Sequence, residues 1–193
     1  MAVLPDPVPH ASAEVRAEMA RMAGVRGHAD GRTRLAEVYV AMFNNPPVAR
    51  AVGGLGELLR FGGVLPDDLR ETAILRLSAR RRSDYEWAHH VRPARQAGLT
   101  PAQIEALADA GVPPGLGPRR RRVVETVDHV VEDREIPEDL QSALVEDIGV
   151  AGVVEVVALC GVYALMGYMT TAFAVAVEPG LPTPPWRAGE SSA

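Results

Sequence analysis

The sequence predicts an all-α protein. Apolar residues recur at helical spacing along nearly the whole chain, and helix start and stop signals punctuate them. No run shows sustained strand alternation closed by hairpin turns. With 193 residues, 47% of them hydrophobic, the chain suits one domain with a sizeable core. We delimit that domain as 12–178. A flexible arm precedes it over 1–11, where three prolines interrupt any periodicity, and an extended Pro-rich tail follows over 179–193.

The first helix is expected over 12–23, ending near Gly24. Leu35, Val38, Tyr39 and Met42 then share a face until Asn44-Asn45-Pro46 stops the run, and a further helix is expected from Pro47 to Phe61, closed by Gly62-Gly63. Pro66 opens the next with Asp67 and Asp68 behind it, where carboxylates complement the helix dipole, and it runs to about Ala79. Another spans Ser83 to Gly98. Thr100 and Gln103 form a capping box for a short helix closed by Gly111. Val123, Val124, Val127, Val130 and Val131 line the inner face of a helix over 118–133, and Pro137 to about Ile148 makes one more.

The last helix raises a membrane question, since Val156 to Val177 is 22 residues without a formal charge. Its flanks (Glu146, Asp147, Glu155, Glu178) are acidic where a cytoplasmic flank would carry arginine, so we read it as a buried central helix and not a span. Glu155 at its start then needs a partner, for which Arg76 or Arg92 is expected.

Composition excludes several chemistries. All 20 basic residues are arginine, so no side-chain Schiff base and no P-loop lysine is available, and the usage fits a GC-rich bacterial gene. Cys160 is the sole cysteine, which rules out an intrachain disulfide and a cysteine-rich zinc site and is compatible with a reducing cytoplasm. The first ten residues show neither a basic segment nor an apolar run, so no secretion leader is expected. A net charge of −5 and few aromatics argue against nucleic acid.

The densest polar cluster runs from Ser83 to His90. On a helix Glu86 and His90 share one face with Ser83 one turn before, and Glu71 lies on the preceding helix, which a turn at Arg81-Arg82 folds back toward them. Two histidines beside two glutamates point to acid–base work, with His90 as proton carrier and Glu86 and Glu71 as its partners. Ser83, Tyr85, Trp87, His89 and Tyr163 are read as substrate-binding or supporting side chains. Two plainer readings stand beside this one: Ser83-x-x-Glu86 is also a capping box, and His90 is also a candidate core histidine. Glu86, His89 and His90 are a rival metal set, but a di-iron bundle needs a second Glu-x-x-His, and Glu125 and His129 are four apart.

A Glu, twelve positions, then Ser83-x-x-Glu86 and a His four residues later resembles the carboxymuconolactone decarboxylase superfamily, which includes the alkylhydroperoxidase D-like proteins. There the two middle places hold a cysteine pair. The run Leu69 to Arg76 resembles the family's helix before the site, Tyr85 to Gly98 its site helix, and Val154 to Tyr163 its long central helix, so that the likeness covers about residues 33–180. The resemblance implies an alkylhydroperoxidase D-like helical bundle without the dithiol cycle, because no cysteine pair is present. It points to the non-redox branch: decarboxylation, isomerisation or elimination on a small conjugated acid or lactone, with no metal or organic cofactor. Arg80-Arg81-Arg82 beside the site would draw in an anionic substrate. A dimer or trimer is expected, with no nucleic acid or membrane partner. The alternative is a non-catalytic oligomeric scaffold or ligand-binding protein.

Overall fold

The computed structural model describes residues 4–30 and 34–187. Among the described residues eight α-helices carry the fold: α1 Ala13–Asp30, α2 Glu37–Met42, α3 Pro46–Glu57, α4 Asp67–Arg81, α5 Asp84–Gln96, α6 Pro101–Ala106, α7 Pro118–Val131 and α8 Glu138–Ala172. A π-turn (Leu58–Gly62) extends α3, and single 3-10 turns lie at Val8–His10 and Pro185–Arg187. No strand occurs among the described residues.

Local signals act where the sequence places them. The Asn45 side chain accepts from the Val48 amide to start α3, and Thr100 and Gln103 form the reciprocal capping box of α6. Two bounds move. α1 runs through Gly24 to Asp30, and α6 ends at Ala106, before Gly111. α8 is interrupted at Gly149, whose φ of 71° and ψ of 166° lie where only glycine is comfortable. That break is the helix end expected near Ile148.

α4 is the most fully buried helix of the bundle, and the long α8 packs along α2, α3, α4, α5 and α7. α4 packs against α5, α7 and α8, and Leu69 and every residue from Glu71 to Ser78 are buried. One apolar core lies between α4, α8 and the N-terminal helices, and a second between α4, α5, α6 and α7 around Leu75, Trp87 and Leu107. The four fully buried polar side chains of α4, Glu71, Thr72, Arg76 and Ser78, are all partnered. Thr72 and Ser78 hydroxyls donate to the carbonyls four residues back, and the fully buried Arg76 donates to both Asp128 oxygens (2.8 and 2.7 Å) and to the Leu107 and Asp109 carbonyls.

α8 is long and apolar enough to cross a membrane, and a third (33%) of its most apolar stretch is buried within the chain. Gly152, Val156, Leu159, Cys160, Tyr163, Met166 and Thr170 face the core, whereas Val150, Val154, Val157 and Tyr168 are exposed. The expected buried central helix is therefore buried on one face only.

Glu155 also departs from expectation. Arg76 is taken by Asp128, and the Glu155 carboxylate instead accepts the amides of Val64 (2.8 and 2.9 Å) and Leu65 (3.0 Å) before α4. Gly63 permits that approach, since a Cβ there would lie 2.6 Å from the nearer carboxylate oxygen. Gly63→Ala is expected to cost about 1–3 kcal/mol in urea unfolding, by pushing the carboxylate off two amides. Glu155→Ala should cost about the same, and the double variant little more than either. Wild-type unfolding of Gly63→Ala would remove this account.

Candidate active site

The site is built on the turn between α4 and α5. Arg82 takes the left-handed conformation (φ 49°), and the Ser83 amide reaches back to the Ser78 carbonyl, 2.8 Å away. So short a connection lays α5 back along α4 and brings the middle of one against the middle of the other. Glu71 of α4 and His90 of α5 meet there, both buried, with Nδ1 of His90 2.7 Å from a Glu71 oxygen. The Arg70 guanidinium lies 3.7 Å from the other oxygen. Tyr163 of α8 stands edge-on to the imidazole, with centroids 5.0 Å apart. The carboxylate holds the proton on Nδ1, which leaves Nε2 as the basic nitrogen for the cavity that His90 lines.

Glu86 is not a cap. Ser83 makes no side-chain hydrogen bond to the free amides of α5, and its hydroxyl donates to a Glu86 carboxylate oxygen instead. The other oxygen, Oε1, is buried with no hydrogen-bond partner among the described residues. Burial pushes the Glu86 carboxyl above its ordinary range, and the Ser83 hydroxyl and the backbone amide of Glu86 pull it back only in part. Such a group holds a proton further up the pH scale than a surface glutamate, as a general acid must.

Two cavities meet at this carboxyl. The inner one, of about 50 Å³, is lined by His89, His90, Glu86, Tyr85, Tyr163 and Arg26 among others. The outer one, of about 220 Å³, is lined by Ser83, Glu86, Tyr163, Gly167, Arg81 and Tyr168 with Leu77, Ser78 and Thr171. Glu86 and Tyr163 belong to both and form the partition. Glu71 lines neither; it acts on the site through His90.

The neighbouring residues divide. His89 turns from His90 to hydrogen-bond Glu178 through Nε2 (2.6 Å) and stacks on Tyr85, whose hydroxyl donates to the other Glu178 oxygen (3.0 Å) and accepts from the Val38 amide. Burial, and then the Glu178 charge, push the Tyr85 phenol far above its ordinary value. Burial alone would raise the Glu178 carboxyl, but the hydrogen bond and charge of His89 outweigh it and bring it to about 2. Trp87 is not at the site. It lies in the second core, edge-on to Trp186 at 5.1 Å, and lines neither cavity.

Sequence reasoning missed Glu178, read as a helix flank, and the return of the tail. The extended tail expected from 179 packs back on α5: the Trp186 indole and the Arg187 guanidinium both donate to Asp84, at 2.6 and 2.8 Å. Among the described residues no three His, Cys, Asp or Glu side chains gather as metal ligands. The rival set is dispersed, with Glu86 turned to Ser83, His89 to Glu178 and His90 to Glu71.

Residues 46–129, which carry Glu71, Ser83, Glu86 and His90, match the carboxymuconolactone decarboxylase family. Solved structures share the fold. The alkylhydroperoxidase core of an uncharacterised peroxidase-related protein from Ralstonia eutropha superposes with a TM-score of 0.76 over 92% of this chain and 93% of its own, at 18% identity. A peroxidase-related protein from Silicibacter gives 0.74 over 92% and 91%, also at 18% identity. The debrominase Bmp8 gives 0.71 over 88% and 90%, at 14% identity. No curated protein matches the sequence. The match to the carboxymuconolactone decarboxylase family thus covers the site segment, and the all-α fold around it is shared with alkylhydroperoxidase D-like structures.

The places that hold the cysteine pair in the family this segment resembles hold Ser83 and Glu86 here. Cys160 is no substitute, being buried in α8 with its thiol pushed up to about 12.

The Glu86 environment has a measurable consequence. Its carboxyl binds a proton more tightly folded than unfolded, so stability falls as pH climbs from the ordinary carboxylate value of 4.5 through the raised folded value, and stays reduced above it. Glu86→Gln removes that penalty and still accepts from Ser83. It should melt higher than wild type at about pH 8, by about 0.5–2 kcal/mol, and coincide with it near pH 4. A variant less stable than wild type at pH 8 would mean that the charge is compensated in the fold.

Proposed function

We propose that the chain is an acid–base enzyme, of decarboxylase or isomerase type, acting on a small conjugated carboxylate or lactone without a metal or organic cofactor. One observation carries the reading: His90, paired with buried Glu71 at 2.7 Å, lines a cavity together with the buried carboxyl of Glu86. Nε2 of His90 takes a proton from carbon next to the substrate's carbonyl, and the Glu71 carboxylate stabilises the imidazolium that results. Glu86 returns a proton at the other end of the conjugated system. In a decarboxylation the electron pair left by CO₂ flows into the enone or lactone carbonyl, and the carbon is then protonated from the same pair of groups. Debrominase Bmp8, a fold relative, has been crystallised with 2,3,4-tribromopyrrole, which supports a small planar ligand for this fold.

A ligand-binding or scaffold role is the second reading, favoured by the inner cavity. About 50 Å³ holds a water or two at roughly 30 Å³ each, so a substrate there needs the outer cavity as well. Turnover decides between them. With an identified substrate, His90→Ala should lower kcat by about 10²–10⁴ in the folded protein and also lower the melting temperature, since buried Glu71 loses its partner, and Glu71→Gln should lower kcat likewise. Full activity in His90→Ala ends the acid–base reading. Peroxide reduction with a dithiol donor should not be sustained, and sustained turnover lost in Cys160→Ser would return the protein to redox chemistry.

We further infer a cytoplasmic homo-oligomer, dimer or trimer, in which a second copy covers Val150, Val154 and Val157 of α8. Light scattering should give at least twice the chain mass of 20.6 kDa, and a monomer at micromolar concentration would refute it.

A further inference from the structure

We propose that the outer cavity is the carboxylate-recognition subsite and that Arg81 is the residue that binds the substrate's carboxylate. The inference rests on the acid–base reading above for its substrate class, and on separate observations for its place. The outer cavity, at about 220 Å³, has more than four times the volume of the inner one. Taking roughly 30 Å³ per water, it has the room of about seven waters, the scale of a small organic acid and not of a lone ion.

The three arginines at the end of α4 have different fates. Arg80 is tied to Glu132 at 2.5 Å and to Asp128 at 3.5 Å, and Arg82 forms the left-handed helix cap. Arg81 alone lines the cavity. Its guanidinium lies over the Tyr168 ring, 4.6 Å from the centroid, and it has no carboxylate partner among the described residues. An arginine lying on an aromatic face is held in orientation while its in-plane N–H groups stay open, and that fork matches a carboxylate in bidentate fashion. The arginine of the inner cavity differs. Arg26 is buried against Glu57 (2.5 Å), the Gly53 carbonyl (3.0 Å) and the Tyr39 ring (4.2 Å), and so serves the fold.

The opposite end of the outer cavity is Glu86. Its Oε1 is buried, lacks a hydrogen-bond partner among the described residues, and belongs to a side chain 3% exposed. Gly167 of α8 keeps the space between open, for a Cβ there would already sit 3.4 Å from Ser83 Oγ and 3.9 Å from Glu86 Oε2. Cation at the mouth, Leu77 and two tyrosines along the wall, and carboxyl at the floor form an ordered axis. A conjugated acid held by Arg81 through its carboxylate presents its far end to Glu86 and, across the partition, to His90. Burial, which favours the neutral form of the Glu86 carboxyl, acts against repulsion of the bound anion.

The test is a binding titration that needs no turnover, with sorbate as a planar conjugated carboxylate and sorbamide as its neutral counterpart. Sorbate should shift the backbone amide resonances of Ser83, Gly167 and Tyr168. Arg81→Gln should weaken sorbate by about ten- to a hundredfold and leave sorbamide unchanged. Gly167→Leu, which fills the space, should abolish binding of both, with circular dichroism and melting recorded to show that the fold survives. Unaltered sorbate affinity in Arg81→Gln overturns the assignment. Resonance shifts confined to Val38, His89 and His90, or no saturable sorbate binding at millimolar concentration, overturn it equally. The two readings fail separately: retained turnover in His90→Ala condemns the acid–base mechanism but not the Arg81 subsite, and unaltered sorbate affinity in Arg81→Gln condemns the subsite but not the mechanism.

Discussion

A helix buried on every side has to satisfy, inside the protein, every polar group it carries, and α4 carries four such side chains. An unpaired guanidinium or carboxylate there would cost several times what a surface charge does. Arg76 is matched by Asp128 of α7 and by two carbonyls that precede α7, which fixes α7 and its approach against α4. Glu71 is matched by His90 of α5. The same need for partners therefore orients two neighbouring helices, and one of the pairs it creates is the proposed proton carrier.

The chemistry at the α4–α5 turn follows from what stands where the superfamily has its cysteine pair. Ser83 and Glu86 keep the spacing of that pair but exchange a thiol reaction for a hydrogen bond. Burial then does to Glu86 what a neighbouring cation would undo: it favours the protonated acid. Glu178 shows the contrary case, for a partly buried carboxylate against His89 stays ionised. Two glutamates around one helix are thus shifted in opposite directions because their partners differ.

α8 reconciles two demands. Its inner face supplies Tyr163 and Gly167 to the cavities, and its outer valines remain uncovered by the chain. Beyond it the chain returns across α5, with Glu178 on His89 and Trp186 on Trp87 and Asp84, so the site helix is held by the tail near both its first turn and its middle. The site helix is thus anchored by parts of the chain far away in sequence.

By itself the sequence determined the all-α class, most helix limits, and the meeting of Glu71 with His90. Caps such as Asn45 and Thr100–Gln103 depend on residues within four positions, and a two-residue turn between helices leaves little freedom in how their faces meet. Tertiary structure decided the rest: that α4 is buried more fully than α8, that Glu155 serves backbone amides, that Glu86 is turned to Ser83 and not to a cap, and that Trp87 faces the other core. Glu155 reaches Val64 across 91 residues and His89 reaches Glu178 across 89. Periodicity shows that a side chain is buried, but what it meets there depends on how distant helices pack, and several charged partners of suitable chemistry compete for each place.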